Sequence, residues 1–342
     1  MSRCTAMNLL CGRRASMRDC FHSLATLGVL FTACFSASLN AQGFPVKTVK
    51  ITSAYPSGAG PDLTSRLIAE RLTRYWGQSV VVEARPGGNG VIAIEAAKKS
   101  APDGYEILVA GGGHLVINPV LFRDLPYDME RDFAPVVTMF QAPSMLTVSA
   151  SGPYNSLGDI LAAARAKPGQ VAFGTQYIGS TQHLGGVIIE QLSNTKMLHV
   201  AFKENAPLFT ALINGDTAWS LTTIATGQPF YKSGKVKYVA HTNRTPLAAF
   251  PKVPTMEQAG LPGMNFSVWA GMVVPRATPP DRIAFISRDI NRAMAEPDFQ
   301  EKVSALGFVA EPSSPANFDA LIKSDIKLYT DVIRRGNIKV DQ

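Results

Sequence analysis

From Val46 onward the chain alternates short β-branched runs with amphipathic helical stretches, which commits it to α/β layering around mainly parallel sheets. Val49-Lys50-Ile51-Thr52 is the first predicted strand, and the loop Tyr55 to Asp62 leads into a helix with Leu63, Leu67, Ile68 and Leu72 on one face, stopped by Gly77. Strands are predicted over 79–83, 106–110 and 170–175. Helices are predicted over 157–166, from Gly179-Ser180-Thr181-Gln182 onward, around 283–295 and over 316–335. With 342 residues the chain is long enough for about two domains. No internal repeat, low-complexity tract or flexible linker interrupts the pattern.

The first 41 residues differ from the rest. They hold all four cysteines (Cys4, Cys11, Cys20, Cys34), a basic stretch with Arg3, Arg13, Arg14 and Arg18, an apolar run from Leu24 to Leu39, and small residues ending at Ala41. That is the order of a secretory signal, and a run of 16 residues is shorter than the roughly 20 needed to span a bilayer. Residues 1–41 are therefore expected to be a cleaved signal peptide that delivers a soluble, thiol-free product to the periplasm. Phe31-Thr32-Ala33-Cys34 matches a lipoprotein box less well, because Phe stands where Leu is usual. A twin-arginine route through Arg13-Arg14 lacks the apolar residues expected after the pair. N-terminal sequencing of the exported protein is expected to read from near Gln42; lipid on a retained Cys34 would overturn this.

Charge and motif inventory then exclude several functions. Outside the leader there are 29 Lys and Arg against 25 Asp and Glu, a surplus of four with no basic block, so no nucleic-acid partner is expected. Gly88-Asn89-Gly90-Val91-Ile92-Ala93 fits the short dinucleotide pattern, but Pro86 and Gly87 interrupt the strand-to-helix turn, and a tight turn needing glycines explains it better. There is no G-x-S-x-G, no H-E-x-x-H and no cysteine after residue 41. His114, His183, His199 and His241 lack metal-ligand spacing, and each reads as a hydrogen-bonded structural or site-wall residue. No catalytic residue, metal or cofactor is expected.

What remains is chemistry at helix ends. Unpaired N–H groups and the positive end of the macrodipole let a helix N-terminus receive an anion without Lys or Arg. Ser57-Gly58-Ala59-Gly60 stands at one such end and Gly179-Ser180-Thr181-Gln182 at another. On separate lobes they would clamp a carboxylate-bearing molecule. Spacing alone leaves this reading and that of ordinary Gly/Ser caps both open.

Several motifs in a fixed order carry a resemblance. Gly58 to Asp62, Arg85-Pro86-Gly87, Ala101-Pro102-Asp103-Gly104-Tyr105, Asn118-Pro119, Leu125-Pro126-Tyr127-Asp128 and Asp132-Phe133-Ala134-Pro135-Val136 come first. Gln182-His183-Leu184, His199-Val200, Val253-Pro254-Thr255, Ala259-Gly260-Leu261-Pro262-Gly263 and Thr278-Pro279-Pro280 follow. From about Phe44 to Lys339 the chain resembles periplasmic solute receptors of the tripartite tricarboxylate transporter type, the Bug family. The resemblance implies a two-lobed periplasmic-binding-protein fold of type II, with two crossing strands and a ligand cleft between lobes. It implies lobe 1 over 42–144 and 267–342 and lobe 2 over 145–266, crossing near Met145 and Trp269. It implies a small organic carboxylate as ligand, a membrane permease as partner and a monomeric receptor. Ligand positions carried over are Tyr55, Ser57, Gly58, Ala59, Gly60 and Asp62 in the first loop, His114 after the third strand, and Ser180, Thr181 and Gln182 in the second lobe.

Departures from the family pattern add four more. Tyr177-Ile178 replaces a Gly-Asn turn, Phe202 and Asn205 belong to an altered stretch after His199, and Thr222 stands where Asp is frequent. An added Tyr and a lost Asp make the pocket more aromatic and less acidic, which suits a flat acid, aromatic ones included. The rival reading is an exported hydrolase or lyase acting on a small carboxylate in the same cleft.

Overall fold

The computed structural model describes residues 43–338 except Arg123, Tyr177, Arg244, Ala248 and Asn265, so the leader and Tyr177 lie outside the described residues. Residues Lys47–Gln342 form one unit; of the unit Met1–Val46 only 43–46 are described, without regular structure. Among the described residues no helix is long and apolar enough to cross a membrane.

Among the described residues eleven strands make two sheets. Strands β1 (Val49–Ser53), β2 (Val80–Ala84) and β3 (Glu106–Gly111) lie parallel in a six-stranded sheet of order β11-β4-β10-β3-β1-β2. Ile51 sits between Val82 and Ile107 in register, and every residue of β3 is buried, as expected of a strand covered on both faces. Between these strands run α1 (Gly60–Trp76) and α2 (Val91–Lys98). Pro61 starts α1, and Gly77 ends it with φ +63° and its N–H on the Thr73 carbonyl.

The chain then crosses. β4 (Phe133–Ala142) belongs to the first sheet, and β5 (Ser144–Ser149), one residue later, belongs to a five-stranded sheet of order β7-β6-β8-β5-β9. The second sheet and its helices are built from α3 (Leu157–Ala166), β6 (Ala172–Thr175), α4 (Thr181–Ser193), β7 (Leu198–Ala201), α5 (Asn205–Asn214), β8 (Trp219–Thr223), α6 (Ile224–Lys232) and β9 (Val236–His241) in chain order. A capping box between Ser156 and Asp159 starts α3. β10 (Val268–Pro275) returns to the first sheet, followed by α7 (Pro280–Met294), α8 (Pro297–Ala305), β11 (Val309–Ala310) and α9 (Pro315–Arg335).

The sheets are mixed rather than mainly parallel. β10 is antiparallel to both β3 and β4, and β5 to both β8 and β9. The cause is the double crossing: β4 carries the chain out and β10 brings it back, so the two run in opposite directions whatever the βαβ units beside them do. Trp269 on β10 is buried and donates its indole N–H to Asp325 on α9 at 2.7 Å, tying the returning strand to the last helix.

Candidate functional site

Parallel strands bring their carboxyl ends to one edge, and the loops leaving that edge are where α/β sheets bind ligands. In the first lobe those loops are Tyr55–Ala59 after β1, Arg85–Gly90 after β2 and Gly112–His114 after β3. In the second, β6, β7 and β8 are likewise parallel and deliver the N-termini of α4, α5 and α6 to a common edge.

In the first loop, Gly58 has φ +82° and donates its N–H to Asp62 Oδ2 at 2.9 Å. The fully buried Asp62 also takes Arg66 Nε at 2.9 Å and Nη2 at 3.2 Å, while the Ala59 N–H bonds the Pro56 carbonyl at 3.1 Å. Asp62 is a brace between the loop and α1, its oxygens taken by Gly58 and Arg66, and the amides of Gly58 and Ala59 are already used. Among the described residues, Ser57 and Gly60 keep amides without an acceptor. Tyr55 packs edge-on against His114, centroids 4.9 Å apart, and its hydroxyl lies over Gly111. The His114 ring rests on Gly90, whose φ of +86° and lack of a Cβ permit the approach, and its Nδ1 accepts the Gly111 N–H at 3.4 Å. Burial pulls this imidazole down to about 4, so it is neutral at physiological pH. The glycines of the dinucleotide-like motif thus form a turn under His114.

Gly58→Val is expected to cost about 1–2 kcal/mol of stability, because no L side chain is at ease at this φ, and to weaken ligand binding about tenfold or more. The open space around Gly58 means that strain, not collision, is the cause. Titration calorimetry beside a thermal melt checks both; a folded variant with unchanged affinity would remove this loop from the site.

The second lobe provides a small cavity of about 40 Å³ walled by Gln176, Gln182, Asn205, Thr222, Thr223 and Thr226. Among the described residues no ionised side chain lines it. Gln176 Nε2 donates to Asn205 Oδ1 at 2.8 Å, which leaves the Asn205 NH₂ group as a donor. Thr222, 5% exposed, hydrogen-bonds Thr147 through the two hydroxyls at 2.7 Å. Thr223 caps α6 by accepting the Thr226 N–H at 3.3 Å. Thr181 and Gln182 occupy the first turn of α4.

The buried Ser180 is the cap of α4: its Oγ accepts the His183 N–H at 3.2 Å, leaving only its O–H to offer. Phe202 packs over Gly174 and against the apolar cluster of Leu208, Phe209 and Leu212, and touches the cavity wall only through Leu208, which lines it. A small glycine inside β6 makes the space it fills. Gln176, Thr223 and Thr226 escaped the sequence reading. A strand ending in Thr-Thr with a third Thr three residues later is a cap signature that would have marked the last two.

Between α4 and β7, His183 stacks on His199 with centroids 3.8 Å apart. His183 Nδ1 accepts the Gly179 N–H at 3.0 Å, and His199 Nε2 pairs with the Thr175 hydroxyl at 2.6 Å. Burial draws both imidazoles to about 4, His183 with a smaller contribution from His199. Among the described residues no three His, Cys, Asp or Glu side chains cluster as a metal site would require.

Comparisons with known proteins agree in direction. The family model described as tripartite tricarboxylate transporter family receptor matches residues 64–338. BugT of Bordetella pertussis (strain Tohama I) is 28% identical over 319 residues, 93% of this chain and 98% of that one. A UPF0065 protein of Bordetella bronchiseptica is 30% identical over 87% of this chain and 88% of its own. Among solved structures, R. palustris Rpa4515 with adipate superposes with a TM-score of 0.72 at 26% identity, covering 87% of this chain and 99% of that one. MatC from Rhodopseudomonas palustris with bound malate gives 0.67 at 26% identity, covering 85% and 100%.

Proposed function

The chain belongs to the tripartite tricarboxylate transporter receptor family, and from that premise we propose that it is a periplasmic receptor that closes two lobes on a small organic carboxylate and passes it to a membrane permease of the tripartite type. The lobes are taken as 42–144 with 267–342, and 145–266, and the receptor as a monomer without catalytic activity. The observation that carries this reading is the second-lobe cavity. It gathers three helix N-termini and the side-chain amides of Gln176, Gln182 and Asn205 beside three threonines, with no ionised side chain on its wall among the described residues. Such a site offers hydrogen-bond donors and positive dipole ends to an anion, and the cavity is sized for a carboxylate head rather than a whole ligand. The ligand's body then lies toward the first lobe, where Tyr55 and His114 supply aromatic surface and Ser57 and Gly60 supply free amides.

The adipate and malate held by the two Rhodopseudomonas proteins support this ligand class. The use made of the histidines supports a receptor over an enzyme, because His114 and His183 each spend Nδ1 on a backbone N–H. The direct test is mass spectrometry of small molecules released from protein purified from its native host, followed by calorimetric titration of each candidate. Recovery of a carboxylic acid that rebinds unchanged is the expected result. Turnover of the acid or of its ester by the pure protein would replace the receptor with an enzyme.

A further inference from the structure

A second cavity, of about 390 Å³, lies beside the carboxylate site and is walled by both lobes: Ile224, Leu247 and Phe250 from one, Phe308, Val309 and Ala310 from the other. The two cavities adjoin around one helix. Thr223 and Thr226 face the carboxylate cavity, whereas Ile224 and Gln228, each turned by about 100° or more around the axis of α6, face this one. The loop Gly307-Phe308 stands at the same junction. The Phe308 ring covers Gly60 of the first anion loop and stacks on Phe140 of the crossing strand β4, centroids 4.1 Å apart and planes 5° apart. Gly307 meets the first turn of α6 so closely that a Cβ there would stand 3.1 Å from the Ala225 nitrogen.

We propose that this inter-lobe cavity binds a small, neutral, aromatic molecule, and that its occupancy raises the affinity of the neighbouring carboxylate site. The volume falls in the range of small-molecule pockets, and Phe250 and Phe308 supply ring surface. Gln228 and Ser304 are polar groups at its margin that can orient one donor or acceptor on the guest. Among the described residues no ionised side chain lines the cavity, so a charged guest would lose hydration without a counter-charge. Coupling follows from the walls belonging to different lobes. A guest that touches both favours their approach, and so does a carboxylate held between the lobes; two ligands favouring one state strengthen each other by equal factors. The binding claim stands on the cavity alone, while the coupling claim rests on the receptor reading above.

Indole is the probe, titrated into the full mature protein by calorimetry and followed by saturation-transfer NMR, alone and with adipate. Ala305, exposed at the end of α8 on the cavity's margin, is changed to Trp to fill the space from outside. The expected result is indole binding in the millimolar range or tighter, weakened about fivefold or more in Ala305→Trp at an unchanged melting temperature. Adipate affinity is expected to rise about threefold or more with indole bound, and indole affinity by the same factor with adipate bound. Indole that fails to bind, or binds equally to Ala305→Trp, overturns the site. Competition between indole and adipate places indole in the carboxylate cleft and also overturns it. Binding that Ala305→Trp blocks, without mutual strengthening, overturns the coupling. If adipate does not bind at all, the indole arm still decides the cavity, and the failure belongs to the receptor reading.

Discussion

Acidification through pH 6.5 toward 4 is expected to destabilise the protein steeply, by up to about 4 kcal/mol per pH unit at the steepest point. His114, His183 and His199 are each drawn by burial to about 4, and buried His241 is lowered as well. The unfolded chain holds its imidazoles near 6.5, so between 6.5 and 4 it binds protons that the folded chain refuses. A group with a depressed histidine value contributes its stability in full above the unfolded value and loses it as pH falls toward the folded one. Each histidine adds about 1.4 kcal/mol per pH unit to the slope in that window, and above 6.5 these groups add none. Protonation also has a local target. His183 uses Nδ1 as the acceptor for the Gly179 N–H, so a proton there breaks the bond that shapes the entry to α4. Urea titrations at closely spaced pH between 8 and 4.5 measure the slope. His199→Phe, which keeps a ring in the stack with His183, is expected to remove about one proton's share. Stability that stays level down to pH 5 would mean that these rings are open to water in solution.

Thr222→Asp is expected to weaken carboxylate binding about a hundredfold, or about 2.7 kcal/mol. Thr222 is buried on the wall of a cavity that carries no cation among the described residues, so an added carboxylate has nothing to neutralise it. Two like charges about 5 Å apart repel by roughly 3 kcal/mol at the effective dielectric of a protein site. The new carboxyl can escape only by taking a proton, and then affinity at pH 6.5 should exceed that at pH 8. A ligand bearing an amine should lose less than a plain acid. Thr222→Asn supplies the control, being similar in size, neutral and able to bond Thr147, and it should stay within about threefold of wild type. Calorimetry of one acid against the three proteins at both pH values decides the matter. Equal losses in the Asp and Asn variants would mean that shape rather than charge is responsible and that the anion sits elsewhere.

Part of the candidate site was legible in the sequence. The loops that open α1 and α4 were visible as Gly- and Ser-rich segments before apolar helical faces, and the structure puts both at the carboxyl edges of parallel strands. Within them, residue identity was a poor guide to role. Asp62 braces the first loop and Ser180 caps α4, while before α5 Phe202 packs against an apolar cluster, and none of these contacts can be read from residue type. Gln176, Thr223 and Thr226 line the cavity with nothing more distinctive than a polar side chain.

The sequence by itself determined the alternation of strand and helix, the caps and stops that bound α1, α3 and α4, and the positions of loops able to offer backbone donors. These are set by periodicity, by φ preferences and by hydrogen bonds that reach only a few residues. Only the tertiary structure decided that the sheets are mixed, that α4, α5 and α6 aim their N-termini at one cavity, and that a second cavity opens between the segment 304–310 and lobe 2. Strand order brings residues 176, 205 and 222 together, and strand order is a product of long-range pairing that no local pattern encodes. The same holds for which donors stay free, because Gly58 and Ala59 lose theirs to acceptors whose positions are known only once the chain has turned.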